Sequence, residues 1–224
     1  MIEDKTHRLQ VTTEDGSALG EVTVSFKKPT RSKTTAIIAH GAGGNMDTAS
    51  IAALQAALVA GGVTAVRFNF LYAEKGRGGP DKQAKLIATW RTVADAMRRE
   101  LKPKRLFLAG RSMGGRMASY LVAEGYPCDG IFFLAYPLHP PGKPDRLRKD
   151  HLPKIKVPML FVSGTRDAFA TLDLLEPLVK QTKAKLHLLE GADHGFRVAK
   201  KYGRTPKEVE AEVAATVLNF ISEV

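Results

Sequence analysis

The sequence predicts an α/β fold in which a mostly parallel sheet carries helices on both faces. From residue 35 onward, short strand patterns alternate with longer segments of helical periodicity. Residues 35–39 form a continuously apolar run, which is typical of a strand buried on both faces of a parallel sheet. The 224 residues show no internal repeat and no dividing linker. We therefore expect one domain spanning residues 1–224.

The first elements are predicted to form an antiparallel hairpin. Residues 6–12 and 19–26 contain β-forming side chains such as Val11, Val22 and Phe26, and residues 14–17 have turn composition. The buried strand at residues 35–39 follows. Residues 48–60 repeat apolar side chains at helical spacing, and two glycines end that helix.

The remaining elements continue the alternation to the end of the chain. A strand at residues 63–70 precedes a glycine-rich, charged loop at 71–80, and a long helix then extends to about residue 102. The later segments, in order, are strand 105–109, helix 116–123, strand 130–135, strand 158–163, helix 171–180, strand 184–189 and helix 206–221. Between residues 138 and 157 there is room for a short helix around 143–149, but not for a cap domain.

Composition excludes several classes of protein. Hydrophobic residues make up 44% and charged residues 25% of the chain, which is ordinary for a soluble globular protein. A single cysteine, Cys128, excludes an internal disulfide. The polar N-terminus is unlike a signal peptide, and no apolar run reaches the roughly 20 residues that span a bilayer. We therefore expect a cytoplasmic protein that does not contact the membrane.

The net charge of +11 is the unusual feature of the composition. Such a charge can indicate nucleic acid, an acidic membrane or an anionic substrate. The basic residues are scattered and interspersed with acids, and no helix-turn-helix, zinc-finger or RNP-like pattern is present. We therefore interpret the charge as a solvated basic surface and expect no nucleic-acid partner.

The sequence Gly-Arg-Ser-Met-Gly-Gly at residues 110–115 carries the chemistry. It lies between a predicted strand and a predicted helix, which is the context that a nucleophile elbow requires. The glycines relieve the collisions that side chains would make at so sharp a turn. The turn would expose the Ser112 hydroxyl at a helix N-terminus, where developing negative charge is favoured.

A serine nucleophile needs a general base, and the base needs an orienting acid. Strand 158–163 leads into Asp167, and strand 184–189 leads into His194. Both residues follow the carboxyl end of a predicted parallel strand, which is where open α/β sheets place their sites. We therefore predict a catalytic triad of Ser112, Asp167 and His194.

The other acids and histidines fit less well. Asp145 and Asp150 lie in a charged loop with no strand to place them, and Asp173 lies inside a predicted helix. Asp193 directly precedes the candidate histidine and could not easily reach its ring nitrogen. His40 ends the third strand, and we interpret it as a structural residue that shapes the next loop.

The reaction also needs N–H donors for a developing oxyanion. The backbone of Met113, directly after the nucleophile, is the first candidate. The loop His-Gly-Ala-Gly-Gly at residues 40–44 would supply the second, with Ala42 as the donor and Gly41 as the fallback donor and substrate contact. This loop lacks the endings of a P-loop or of a dinucleotide site. We predict no metal and no cofactor.

These motifs resemble the α/β-hydrolase superfamily over nearly the whole chain. The motifs that carry the resemblance are residues 40–44, Gly-Arg-Ser-Met-Gly-Gly at 110–115, Gly-Thr-Arg-Asp at 164–167 and Asp-His-Gly-Phe at 193–196. More narrowly, the chain is similar to small lidless proteins of the dienelactone-hydrolase type. Residues 67–70, 136–142 and 164–167 resemble a branch whose eukaryotic relatives include a subunit of a chromatin acetyltransferase complex.

The resemblance implies an eight-stranded sheet whose second strand is antiparallel, together with esterase-type chemistry. Dienelactone hydrolases proper use a cysteine where this chain has Ser112. We therefore predict a serine hydrolase that cleaves a small-molecule ester or thioester through an acyl-enzyme, as a monomer or small homo-oligomer. The alternative is a non-catalytic scaffold that uses the same fold to bind partners.

Four arginines lie close to these motifs in the sequence. Arg111 adjoins the nucleophile, Arg77 lies in the loop at residues 71–80, Arg166 precedes the acid and Arg197 follows the histidine. We predict that Arg111 contributes to substrate binding. Together, the four would favour an anionic acyl or leaving group. The alternative is ordinary surface charge.

Overall fold

One sheet organises the protein in a computed structural model that describes residues 1–13, 15–76 and 79–224. The strands of these ranges are β1 (Ile2–Thr12), β2 (Ala18–Pro29), β3 (Thr34–Ala39), β4 (Thr64–Phe68), β5 (Arg105–Arg111), β6 (Gly130–Leu134), β7 (Met159–Gly164) and β8 (Lys185–Leu189). Their order is β1-β2-β4-β3-β5-β6-β7-β8. Strand β2 is antiparallel to both neighbours and all other pairs are parallel, which confirms the predicted fold class.

Helices cover both faces of the sheet. They are α1 (Ala49–Ala60), α2 (Leu71–Glu74), α3 (Gln83–Leu101), α4 (Met113–Ala123), α5 (Leu172–Thr182) and α6 (Pro206–Glu223). Helices α1 and α6 pack into one apolar cluster, and α3, α4 and α5 pack into the other. Alternate residues of β3 divide between the clusters, with Ile37 on one face and Ile38 on the other. Within the described ranges, no helix is both long enough and apolar enough to cross a membrane.

Two local predictions differ from the structure. The segment predicted as loop 71–80 begins with the short helix α2. The helix predicted around residues 143–149 is wrong, because this stretch forms turns and the local helix is a 3-10 turn at Leu152–Lys154. Prolines at its start limit helical hydrogen bonding. The N–H of Arg148 instead donates to the carbonyl of Leu138 at 2.8 Å, which ties the connection back to its own beginning.

The sheet topology brings the predicted motifs to one edge. Strands β3, β5, β7 and β8 are parallel, so their carboxyl ends point the same way. The loops that follow them begin at His40, Ser112, Thr165 and Glu190. Residues separated by more than 150 positions in the chain can therefore meet above this edge.

Candidate active site

The turn at Ser112 is strained and closely packed. Ser112 has φ 49° and ψ −115°, a conformation that costs a non-glycine residue about 1–3 kcal/mol. A Cβ on Gly110 would lie 2.3 Å from the backbone nitrogen of Gly115, and one on Gly114 would lie 2.4 Å from the carbonyl oxygen of His40. Only glycine fits at these positions, because the contacts are with backbone that cannot move aside.

A chain of hydrogen bonds joins the serine, the histidine and the aspartate. The Oγ of Ser112 lies 2.9 Å from Nε2 of His194. The other ring nitrogen, Nδ1, donates to the carboxylate of Asp167, whose two oxygens lie 2.8 and 2.9 Å away. This arrangement leaves Nε2 as the acceptor for the serine proton. The structure therefore brings together the three side chains that the sequence indicated.

The acid and the histidine are held by their surroundings. The side chain of Asp167 is fully buried, and its Oδ1 also accepts the N–H of Phe169 at 2.8 Å. The ring of Phe169 stacks on the imidazole of His194, with centroids 4.1 Å apart. The neighbouring carboxylate of Asp193 accepts N–H groups of its own loop instead, from Gly195 and Arg197. Asp193 thus shapes the loop and does not contact the imidazole.

The Arg111 side chain contacts the histidine loop. Its guanidinium donates to the carbonyl oxygen of His194 and lies over the ring of Phe196, 4.6 Å from the centroid. It lines a separate cavity of about 850 Å³ between α1 and α6, while Ser112 opens on another cavity. Burial lowers the pKa of Arg111, and the carboxylates of Asp167 and Asp193 oppose this shift. Arg111 therefore supports the histidine loop from the side of the cavity between α1 and α6.

The two residues predicted as oxyanion donors line the cavity at the nucleophile. Ala42 and Met113 line the same cavity as Ser112, and its volume is about 260 Å³. Among the described residues, the backbone N–H groups of Ala42 and Met113 have no hydrogen-bond acceptor. Gly41 lies against the nucleophile, because a Cβ built on it would be 3.6 Å from Cβ of Ser112. A Cβ at this position would be in ordinary van der Waals contact with the serine.

Two aromatic residues hold the loop that carries Ala42. The hydroxyl of Tyr72 lies 3.0 Å from the carbonyl oxygens of both Gly41 and Ala42. The buried ring of His40 donates from Nδ1 to the carbonyl of Gly41 at 2.8 Å and accepts the N–H of Phe70 at Nε2. Burial lowers the pKa of His40, which keeps the ring neutral and able to accept that bond. The structural role predicted for His40 agrees with these contacts.

Sequence reasoning did not identify Tyr72. It lies in the short helix α2, within a segment that reads as loop, and 30 residues separate it from the carbonyl it contacts. Burial raises the pKa of Tyr72 to about 12, so its hydroxyl keeps the proton that it donates. No spacing rule links a tyrosine at this distance to an oxyanion loop. Only the packing of α2 against β2 reveals the contact.

The cavity at Ser112 has both apolar and charged lining residues. Its apolar lining includes Leu86, Met117 and Phe169, and its basic residues are Arg116 and Arg148. Arg111, Arg166 and Arg197, three of the four arginines selected from the sequence, are not among the residues that line this cavity. Arg111 is behind the histidine loop, and the side chains of Arg166 and Arg197 are exposed to solvent. Arg77 lies outside the described residues.

The described His, Cys, Asp and Glu side chains form no cluster of three that could hold a metal ion. The ring of His194 is engaged with an aspartate and a serine. The arrangement suits proton transfer from the serine to the histidine, with the aspartate orienting the imidazole.

The topology of the sheet and the turn at Ser112 are those of an α/β hydrolase. The sequence model of the alpha/beta hydrolase domain family matches residues 32–222, and the chain therefore belongs to that family. Membership of this family places the protein among the hydrolases.

Several solved structures share the fold at low sequence identity. A dienelactone hydrolase from Anabaena variabilis superposes with a TM-score of 0.77 at 16% identity, covering 98% of each chain. Est1E from Butyrivibrio proteoclasticus gives 0.74 at 18%, covering 97% of this chain and 98% of that one. A serine hydrolase without a lid from Xanthomonas campestris gives 0.67 at 22%, covering 86% and 87%. These likenesses concern the fold, and they agree with the predicted absence of a cap.

Proposed function

We propose that this protein hydrolyses a carboxylic ester or thioester of a small molecule through an acyl-enzyme on Ser112. One observation carries the proposal. The hydrogen-bonded line from Asp167 through His194 to Ser112 ends in a cavity of about 260 Å³ that Ala42 and Met113 also line, and the backbone N–H groups of these two residues have no acceptor within the part of the chain that the structure describes. A nucleophile, a base, an orienting acid and oxyanion donors are the parts that acyl transfer requires.

The first half of the proposed reaction forms the acyl-enzyme. His194 accepts the Ser112 proton at Nε2 while Oγ attacks the carbonyl carbon of the substrate. The carbonyl oxygen becomes an oxyanion that the N–H groups of Ala42 and Met113 stabilise. Collapse of this intermediate breaks the bond to the alcohol or thiol, which leaves with the proton from Nε2. Asp167 stabilises the imidazolium throughout without taking its proton.

The second half returns the enzyme to its starting state. Water enters the open cavity and gives a proton to Nε2 of His194 as its oxygen attacks the acyl carbon. The same two N–H groups stabilise the second oxyanion. Its collapse releases the carboxylic acid, and the proton on Nε2 returns to Oγ of Ser112. The histidine, the aspartate and the two N–H groups thus act in both halves, and the net reaction adds one water to the ester or thioester.

The experiment that tests the proposal is intact mass measurement after incubation with a fluorophosphonate. Wild-type protein should gain one adduct, because the probe reacts with an activated serine. Ser112→Ala should gain none, while the matched control Ser222→Ala, on an exposed face of α6, should react as the wild type does. No adduct on folded wild-type protein would contradict the proposal. It would favour the alternative that the fold serves as a binding scaffold.

A steady-state assay then separates esters from thioesters. We expect p-nitrophenyl esters to give a burst of about one equivalent of p-nitrophenol when deacylation limits turnover. Paired oxygen and sulfur esters of the same acyl group would show which leaving group the cavity prefers. Turnover by Ser112→Ala equal to that of wild type would place the chemistry elsewhere.

A further inference from the structure

We propose that Arg116 and Arg148 form an anion subsite that selects esters with a carboxylate on the acyl or alcohol group. The inference rests on the proposed function and names the substrate class of the same site. Both arginines line the cavity that contains Ser112. Neither was among the arginines that the sequence pointed to, because their positions in the chain do not show that they converge.

Helix geometry places Arg116 next to the nucleophile. It follows Ser112 by four residues, and its N–H donates to the carbonyl of Ser112 at 3.1 Å in the first turn of α4. The first turn of α4 thus places Arg116 in the lining of the same cavity as the nucleophile. Its Nε is buried and has no hydrogen-bond partner among the described residues.

The connection between β6 and β7 delivers Arg148 to the same cavity. The hydroxyl of Tyr136 donates to the carbonyl oxygen of Arg148 at 2.7 Å, and the Arg148 N–H donates to the carbonyl of Leu138 at 2.8 Å. The same connection is docked on α4 by His151, whose Nε2 lies 2.7 Å from Oγ of Ser119. The backbone that carries Arg148 is therefore held on both sides. An arginine placed in this way is preorganised for a ligand.

The two guanidinium groups lack a negative partner in the described protein. Neither Arg116 nor Arg148 forms an ion pair with an acid in residues 1–13, 15–76 and 79–224. Burial lowers the pKa of Arg148, and the positive charge of Arg116 lowers it further. The acid that lines the same cavity, Asp81, pairs with Lys85 at 3.4 Å. Two neighbouring like charges in a partly buried cavity favour an anion between them.

The remaining walls define the rest of the ligand. Leu86, Met117 and Phe169 are apolar, and the cavity is small at about 260 Å³. A short hydrocarbon chain therefore fits between the reacting carbonyl and the charged end. A carboxylate suits the charged end, because the planar fork of an arginine matches two carboxylate oxygens. The substrate class is thus a short ester or thioester with a terminal carboxylate.

The test compares two esters that differ in charge but hardly in shape. The anionic ester is the mono-p-nitrophenyl ester of glutaric acid, and its neutral isostere is p-nitrophenyl 5-oxohexanoate. We expect wild-type kcat/KM to be about tenfold higher for the anionic ester, the loss of one charge-assisted contact being worth about that factor. Arg148→Gln and Arg116→Gln should each abolish most of this preference through KM. The matched control Arg146→Gln, an exposed arginine of the same connection, should retain it.

The outcomes separate this inference from the proposed function. Equal kcat/KM for the two esters in wild type would overturn the anion subsite and leave the hydrolase mechanism standing. If neither ester is hydrolysed, a measurement of ligand binding tests the anion subsite. Calorimetric titration of Ser112→Ala with monoethyl glutarate should give heat that is lost in Ser112→Ala/Arg148→Gln, which would support the subsite without turnover. Equal binding by both proteins, or binding by neither, would overturn the inference.

Discussion

The hydroxyl of Tyr72 lies 3.0 Å from the carbonyl oxygen of Ala42, a residue that lines the cavity of the nucleophile. The same hydroxyl lies 3.0 Å from the carbonyl oxygen of Gly41, which shares one planar peptide group with the N–H of Ala42. These contacts therefore orient a proposed oxyanion donor from outside the cavity. Tyr72 touches no reacting atom in this arrangement. It is a positioning residue, supplied by the short helix between β4 and α3.

Tyr72→Phe should lower kcat while KM changes little. The substitution removes only the hydroxyl, so the loop keeps its packing but loses the bond that holds Ala42. We expect a fall of about tenfold in kcat, less than the loss of an oxyanion donor itself. Stopped-flow or steady-state ester hydrolysis measures it. The control is Tyr126→Phe, which removes a hydroxyl that donates to Asp95 at 2.9 Å. Unchanged kcat in Tyr72→Phe would contradict the positioning role.

Arg111→Gln should slow hydrolysis of charged and neutral esters by the same factor. Its guanidinium holds the carbonyl of His194, so its loss loosens the histidine rather than the substrate. Displacement of a catalytic group by about 1 Å can cost up to about a hundredfold in rate. The kcat/KM values for the mono-p-nitrophenyl ester of glutaric acid and for p-nitrophenyl 5-oxohexanoate measure the factor. The control is Arg197→Gln, which changes an exposed side chain. A loss confined to the anionic ester would instead support substrate binding by Arg111.

Gly114→Ala should destabilise the fold as well as the site. The new Cβ would lie 2.4 Å from the carbonyl oxygen of His40, so α4 or the end of β3 must shift. Overpacking against backbone costs about 1–3 kcal/mol in the free energy of unfolding, occasionally more. Urea denaturation followed by far-ultraviolet circular dichroism measures the cost. Gly79→Ala is the matched control, since nothing lies within 4 Å of its Cβ position. Equal midpoints for the two variants would show that the elbow tolerates the methyl group.

Protonation of His151 should contribute to acid sensitivity. Burial and the positive charge of Arg116 lower the pKa of His151 to about 4. In the unfolded chain a histidine titrates near 6.5, so between about pH 6.5 and 4 the unfolded state binds more protons. The contribution of His151 to stability is therefore complete above about pH 6.5 and is lost as the pH falls towards 4. Asp150 opposes this shift and Lys154 adds to it.

His151→Asn tests this dependence by difference. We expect the free energy of unfolding of the variant to fall less than that of wild type between pH 7 and pH 5. Urea denaturation at intervals of half a pH unit measures both slopes. The substitution also alters the contact with Ser119, so the comparison uses slopes and not absolute values. Parallel slopes would mean that His151 titrates normally in the folded protein.

The order of elements was predictable because it depends on local patterns. Buried parallel strands are short and continuously apolar, and helices repeat at 3.6 residues, so β3 and α1 can be located from the residues alone. The exact first and last residues of the elements are harder to predict. The helix after the elbow begins at Met113, three residues before the predicted start, because the glycines at 114 and 115 are helical here. Glycine weakens a helix pattern in the sequence even where tertiary contacts require it.

The fold class and the three residues Ser112, Asp167 and His194 could be read from the residues alone, since each residue follows its own strand and parallel strands end at one edge. The contacts that surround them became visible only once the chain was folded. The hydroxyl of Tyr72 contacts the carbonyl of Ala42, and the guanidinium of Arg111 contacts the carbonyl of His194. Arg116 and Arg148 both line the cavity at Ser112. The physical reason is that a strand fixes the position of the residue after it. The direction of a long side chain, in contrast, depends on every element packed around it.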